Sequence, residues 1–288
     1  MARLLKAKPL ADEAGERIKS AVNRWKKAGI APAVAVLLAE GDPASAAYAA
    51  AKGRLAAKLG IGYELITFAS DVTKNRLLKE IRRLNEDNGV HGILLELPLP
   101  AGLDSSRLAA ALDPLKDIDG ITPASKLACM MNETGLRPAT PQSCIQLIKS
   151  AGVTLKGSHI VVVGRGETVG RPLMQMLLHE NATVTVCHSH TKDLARMIQG
   201  ADVLVTAAGK VNLIMPEMVH PGLVLIDAGI NMLGDESGIT GDAAPQTADY
   251  VDAMSPVPGG VGTLTTALLF ENALHALTLQ QAAGRLQV

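Results

Sequence analysis

Short, uninterrupted apolar runs alternate with amphipathic stretches along most of this chain. Residues 10–28 place Ile18, Val22 and Trp25 at helical spacing among many charges, and Gly29 ends the pattern, which predicts a surface helix. The run 33–39 after Pro32 is apolar throughout, as in a strand covered on both faces. An alanine-rich helix over 44–59, a strand over 63–69, a charged amphipathic helix over 74–87 and a strand from Gly92 that must end at Pro98 follow. This alternation predicts a parallel sheet with helices packed on it. The stretch 112–141 contains Pro114, Pro123, Pro138 and Pro141 and reads as an inter-domain segment. Beyond it the pattern predicts a helix over 142–151, a strand over 159–163, a glycine-rich turn, a helix over 171–180, a strand over 183–187 and a helix over 192–199. Strands over 202–206 and 223–227 and a final helix over 264–284 complete the series.

Composition narrows the class. At roughly 100–200 residues per domain, 288 residues predict two domains. Hydrophobic residues at 48% against 19% charged exclude a disordered chain. Lys+Arg and Asp+Glu both number 28, so the basic excess of a nucleic-acid binder is missing, and 2% aromatics argue against a base-stacking platform. Cys129, Cys144 and Cys187 are scattered with no CxxC pair, which fits a reducing compartment and excludes a disulfide framework or a zinc ribbon. No metal site is expected. The first ten residues lack a secretory pattern and no apolar run is long enough to span a bilayer, so the expectation is a soluble, cytoplasmic protein with no membrane partner.

The second half holds the most specific local pattern. A strand runs into Gly164-Arg-Gly166 and, after three residues, Gly170, with Pro172 in the first turn of the helix that follows. The first glycine permits a tight turn, the second lets backbone N–H groups approach a pyrophosphate, and the last allows close helix–strand packing. The spacing is one residue longer than the usual dinucleotide fingerprint, and a ligand-free glycine turn is the plain alternative. The next strand ends in Cys187-His-Ser-His190, with no acid before Asp193. Arg165 and Ser189 without a carboxylate suit a ribose 2′-phosphate, which favours NADP over NAD. His188 alone reads more simply as a loop cap.

In the first half, Tyr48 and Lys52 share one face of a helix whose neighbouring positions are nearly all alanine. A partly desolvated lysine beside a ring suits proton transfer on a flat ligand; the commoner reading of such spacing is a snorkelling amine and a half-buried tyrosine. Glu96 stands at the carboxyl end of a parallel strand, where α/β ligand sites form. Lys116-Asp-Ile-Asp-Gly120 adds Asp117 and Asp119 before a turn, and 255–262 (SPVPGGVG) is a rigid-then-flexible loop.

Taken in order, these segments resemble the bifunctional methylenetetrahydrofolate dehydrogenase/cyclohydrolase (FolD) family. The matching runs are Tyr48 to Lys52, 92–100, 116–120, 138–141, 163–172, 187–189, 226–231, Gly241-Asp242 and 256–262. The resemblance implies two α/β domains around a cleft: a catalytic, folate-binding domain over 1–138, with 268–288 packing back on it, and a Rossmann-type NAD(P)-binding domain over 139–267. It implies NADP-dependent oxidation of methylenetetrahydrofolate to methenyltetrahydrofolate, followed by hydrolysis to formyltetrahydrofolate, in a homodimer. Lys52 would be the acid/base, Tyr48 would stack on the folate, Glu96 would act beside Lys52, and Asp119 would hold the pterin. Leu97, Pro98, Pro258 and Gly259 would line the folate site. Gly164, Arg165, Gly166, Val169, Gly170, His188, Ser189, Ala208, Gly209 and Ile230 would surround the cofactor.

The departures from the family pattern carry their own implication. The family has Gln where this chain has Glu96; a carboxylate there would pair with Lys52 and favour its charged form, and a charged amine is a poor general base. Hydride transfer is then expected to survive and the cyclohydrolase step to weaken, with full bifunctionality and a non-catalytic folate- or nucleotide-binding paralogue as the alternatives. Ile121 follows the acidic motif without the family's Asn and Gly, Gly166 replaces a Ser, Ala139 a Cys, and Thr263-Leu264 a Pro-Met pair. So many changes at motif positions suggest a specialised paralogue.

Overall fold

The structure, a computed structural model, describes residues 2–41, 43–233 and 238–286. The chain opens with β1 (Arg3–Leu4), α1 (Lys8–Lys27), β2 (Ala33–Ala39), α2 (Pro43–Leu59), β3 (Gly62–Phe68), α3 (Lys74–Glu86), β4 (Gly92–Leu95), α4 (Ser105–Ala109), α5 (Pro123–Met131) and α6 (Ala139–Ser150). It continues with β5 (His159–Val163), α7 (Gly170–His179), β6 (Thr183–Cys187), α8 (Leu194–Ile198), β7 (Val203–Thr206), β8 (Val224–Asp227), β9 (Asn231–Met232), β10 (Ile239–Thr240), β11 (Ala253–Met254) and α9 (Val261–Ala282). Two compact units result, one of residues 2–12 and 140–265, the other of 13–139 and 266–286.

The unit of 13–139 and 266–286 is built on the parallel sheet β3-β2-β4. β2 is buried along nearly its whole length, as its unbroken apolar run requires. Leu77, Ile81 and Leu84 form the apolar stripe of α3 and pack with Leu37, Ile93, Leu95 and Leu108. The proline-rich stretch 112–141 contains the passage from one unit to the other, after Ala139, and also carries ordered structure. Thr122 caps α5 by accepting from the Ser125 amide, and Pro123 occupies the first turn, where a missing N–H costs nothing. Polar side chains tie α9 into this unit: Asn272 donates to the carbonyls of Ile118 and Arg137, and Gln280 to those of His91 and Leu115. Residues 287 and 288 of the expected C-terminal segment lie outside the described residues.

The unit of 2–12 and 140–265 carries an all-parallel sheet in the order β1-β11-β8-β7-β5-β6. The sequence reading placed the first residues with the other half; Arg3 and Leu4 instead pair with Ala253 and Met254, because the short exposed segment completes that sheet's edge. The chain leaves β5 toward β6 on one side and reaches β7 on the other, so the sheet's order reverses at β5. Crevices outside the carboxyl ends of strands at such a reversal are where open α/β sheets bind ligands.

Candidate functional site

In the 13–139 unit, α2 and β4 bring a lysine and a carboxylate together. Lys52 Nζ donates to Glu96 Oε1 at 2.5 Å, with only 13% and 8% of the two side chains exposed. Glu96 stands just past β4, held by its amide to the Leu37 carbonyl at 2.9 Å. Tyr48, one turn before Lys52, is half-buried, and burial raises its hydroxyl's pKa. Leu97 and Leu99 are half-buried and Pro98, after a cis bond, is exposed beside them.

Asp119 belongs to the same electrostatic group. Its carboxyl is raised to about 7, first by burial, then by the charge of Asp117, with Glu96 adding and Lys52 opposing. The segment that carries it is tightly anchored. The Lys116 ammonium donates to the carbonyls of Leu84, Asn85 and Asp87 at the end of α3, and the Asp117 carboxylate accepts from the amides of Ile121 and Thr122. Gly120 has φ +66°, and a Cβ there would collide with the backbone of Pro138.

Sequence reasoning missed Tyr63. Its hydroxyl donates to the Ala49 carbonyl at 2.7 Å, and its ring covers Gly53, where an added Cβ would lie 3.1 Å from Cε1. Burial, with the Glu96 charge adding, raises its pKa well above the ordinary phenol value. Tyr63 thus braces the helix that bears Tyr48 and Lys52. The available signal was the scarcity of tyrosines, three in the chain.

In the other unit, the glycine turn follows β5 at the sheet's reversal. A Cβ on Gly164 would collide with the Ala207 carbonyl, and one on Gly170 with the Gly164 carbonyl, so both glycines are required by packing. Gly166 meets nothing within 4 Å, is exposed and lacks a positive φ. Its missing side chain therefore keeps the solvent side of the turn open, as a backbone approached by a phosphate requires. Val169 precedes α7, a ten-residue helix whose N-terminus supplies positive dipole. Arg165 and Ser189 are exposed, and no acid stands between Cys187 and Lys192. These residues fit a dinucleotide with a 2′-phosphate.

His188 is a loop cap: its Nδ1 accepts from the His190 amide at 3.1 Å and its own amide donates to Thr191 Oγ1. Ala208 and Gly209 follow β7 and are exposed, as is Ile230 after β8. Pro258 is exposed and Gly259, with φ +103°, accepts from the Ala7 amide; both belong to this unit. The structure therefore gathers Tyr48, Lys52, Glu96, Leu97, Pro98 and Asp119 in one unit, and the expected cofactor residues with Pro258 and Gly259 in the other. Among the described residues no group of three or more His, Cys, Asp or Glu could hold a metal ion, and no helix is long and apolar enough to cross a membrane.

A doubly wound unit with a glycine turn at its reversal point, joined to an α/β unit that buries an amine against a carboxylate, defines a dinucleotide-using enzyme of the α/β class. The tetrahydrofolate dehydrogenase/cyclohydrolase catalytic domain matches residues 5–119, and the NAD(P)-binding domain of the same family matches 138–281. The bifunctional protein FolD of Heliobacterium modesticaldum is 47% identical over 280 residues, 97% of each chain. The solved structure of the FolD methylenetetrahydrofolate dehydrogenase/cyclohydrolase of Campylobacter jejuni superposes with a TM-score of 0.92 at 35% identity, covering 97% of this chain and 100% of that one. The FolD of Trypanosoma brucei, solved with NADP and an inhibitor, gives 0.92 at 28% identity, covering 97% and 98%. The chain belongs to the tetrahydrofolate dehydrogenase/cyclohydrolase family.

Proposed function

We propose that this protein oxidises methylenetetrahydrofolate to methenyltetrahydrofolate with NADP, and that its hydrolysis of the methenyl product is weak. The observation that carries the second part is the buried pair of Lys52 with Glu96 at 2.5 Å. NADP, which the glycine turn 164–170 with Arg165 and Ser189 would hold, would supply the acceptor for a hydride from the methylene carbon, and loss of that hydride leaves the carbon as a methenyl cation. This step needs orientation and a surrounding that tolerates positive charge. Tyr48 orients the ring system by stacking, Asp119 holds the pterin, and Leu97 and Pro98 line the folate. An ionised Glu96 favours the cation electrostatically.

Hydrolysis asks for something different. Water must add to the methenyl carbon and lose a proton to a base before the ring opens to the formyl product. An ammonium whose donor is committed to a carboxylate is a poor proton acceptor. Arg165 and Ser189 support NADP as cofactor, and the NADP complex of the Trypanosoma brucei relative agrees. The relatives' bifunctional name favours a second reading in which both steps proceed. The enzyme so proposed is a cytoplasmic homodimer; sedimentation checks the oligomeric state.

Steady-state rates of both reactions, with NADP and NAD in parallel, test the proposal. The expected outcome is NADP-dependent formation of the methenyl absorbance band, which then persists. Glu96→Gln should raise methenyl hydrolysis on the order of tenfold or more, the scale of a restored general base. Equal hydrolysis rates in the two proteins would overturn the Glu96 argument and favour the bifunctional reading.

A further inference from the structure

Asp227, Gly229, Asn231 and the run Gly241-Asp242 have no part in the chemistry above, yet the structure joins them in a buried polar network. The carboxylate of Asp242, fully buried, accepts five hydrogen bonds. Three come from successive backbone amides after β7: Ala208 at 2.6 Å and Gly209 at 3.2 Å to Oδ2, and Lys210 at 2.9 Å to Oδ1. Thr206 Oγ1 donates to Oδ2 at 2.9 Å and Asn231 Nδ2 to Oδ1 at 3.0 Å. Successive amides converging on one point form an anion-binding concavity, here completed by Gly209 at φ +64°. The protein fills that concavity with its own carboxylate.

Asp242 is itself placed by a second buried acid. Asp227, at the end of β8, accepts from the amides of Gly229, Asp242 and Ala243 at 2.9–3.0 Å. The two acids also explain two glycines. A Cβ on Gly229 would collide with the Asp242 carboxylate, and one on Gly241 with the Asp227 carboxylate. The loop so held lies next to the glycine turn: the Ala207 amide donates to the Val163 carbonyl at 2.8 Å, and the Ala207 carbonyl occupies the space that a side chain on Gly164 would need.

We infer that Asp242 is a positioning residue for the cofactor, shaping loop 207–210 and holding Asn231 so that the carboxyl ends of β5, β7 and β8 are preformed before the dinucleotide arrives. This rests on the cofactor reading above. Asp242 does not touch the cofactor; its effect passes through the backbone of Ala208 and Gly209. The preference for a carboxylate is chemical. In Asp242→Asn an NH2 group would face N–H donors on one side of the concavity, leaving at least one of them unpaired.

The test compares the full chain with Asp242→Asn by amide hydrogen exchange without cofactor, by calorimetric titration with NADP, and by steady-state kinetics. The expected result is exchange at 207–210 about tenfold faster or more, with β5 and β6 unchanged, and NADP bound about tenfold more weakly. KM for NADP should rise with it while KM for the folate stays within about twofold. Unchanged exchange at 207–210 and unchanged NADP affinity in the folded variant would overturn the inference. So would a uniform rise in exchange through the unit, which marks general destabilisation. Should Asp242→Asn not fold, Thr206→Val removes one donor and keeps the carboxylate. It should speed exchange at 207–210 severalfold, and no change there would overturn the inference equally. If the unsubstituted chain binds no NADP, the cofactor reading fails, and the loop exchange alone decides whether Asp242 shapes 207–210.

Discussion

Asp119 shows how far a single carboxyl is displaced by its neighbours. Burial lifts it most, Asp117 next, and Glu96 adds to the rise while Lys52 opposes it, leaving the group near 7. Glu96→Gln removes one raising charge and frees Lys52 of its partner, and both changes act in the same direction. The Asp119 titration should therefore move toward the ordinary carboxylate range in Glu96→Gln, as read by carboxyl-carbon NMR across pH 3–9. An unmoved midpoint would show that the two acids do not sense each other. At this scale the sequence is partly legible. Tyr48 and Lys52 stand out as neighbours on an alanine-lined helix, and Glu96 as an acid at a strand's end. Their pairing spans 44 positions and is a tertiary fact that no spacing announces. Tyr63 stays hidden because its partner is a backbone carbonyl, and Asp242 because its partners are mostly backbone amides.

Secondary-structure elements differ in how much the packing around them constrains a substitution, and two glycines in helices of one unit make the point. Gly15 in α1 would meet only Leu59, at 3.8 Å, if given a Cβ. Gly15→Ala should therefore realise the helix-propensity gain of about 0.5–1 kcal/mol. Gly53 in α2 faces the Tyr63 ring at 3.1 Å, and that ring is fixed by its hydrogen bond to Ala49. Gly53→Ala should show no such gain, and its dehydrogenase kcat should fall severalfold as the adjacent Lys52 shifts. Urea unfolding of the two variants, followed by kinetics, checks both statements; a stabilised and fully active Gly53→Ala would remove Tyr63 from its bracing role. The long elements of this unit follow from the period of their apolar positions. The two-residue strands β1, β9, β10 and β11 have no run in which a period could appear, and pairing alone defines them. The prolines of 112–141 mark the stretch in which the chain passes from one unit to the other, after Ala139, and Pro123 in addition opens a helix behind its Thr122 cap.

For the whole molecule, buried acids link stability to pH in a direction opposite to that of surface ion pairs. Asp119 lies in one unit and Asp227 in the other, and burial lifts them from an ordinary 3.8 to about 7 and about 6. Between the ordinary value and these raised ones, the folded chain keeps protons that the unfolded chain has released. The folded state binds more protons there, so stability falls as pH rises through the window. Each contribution is fully present below about pH 4; that of Asp227 is lost by about pH 6 and that of Asp119 by about pH 7. His91 and His275, in the same unit as Asp119, are lowered by burial and act with the opposite sign up to their ordinary 6.5. A comparison with Asp119→Asn cancels the histidines, because both proteins carry them. The chain's single tryptophan, Trp25, lies in that unit and reports its unfolding by fluorescence, while far-ultraviolet circular dichroism follows both units. The stability of the unsubstituted chain relative to Asp119→Asn, read at Trp25 in urea, should decline steadily from pH 5 to pH 7 and level off above. A difference independent of pH across that range would place the Asp119 proton outside it, and would remove this carboxyl from the account of how the unit responds to acid.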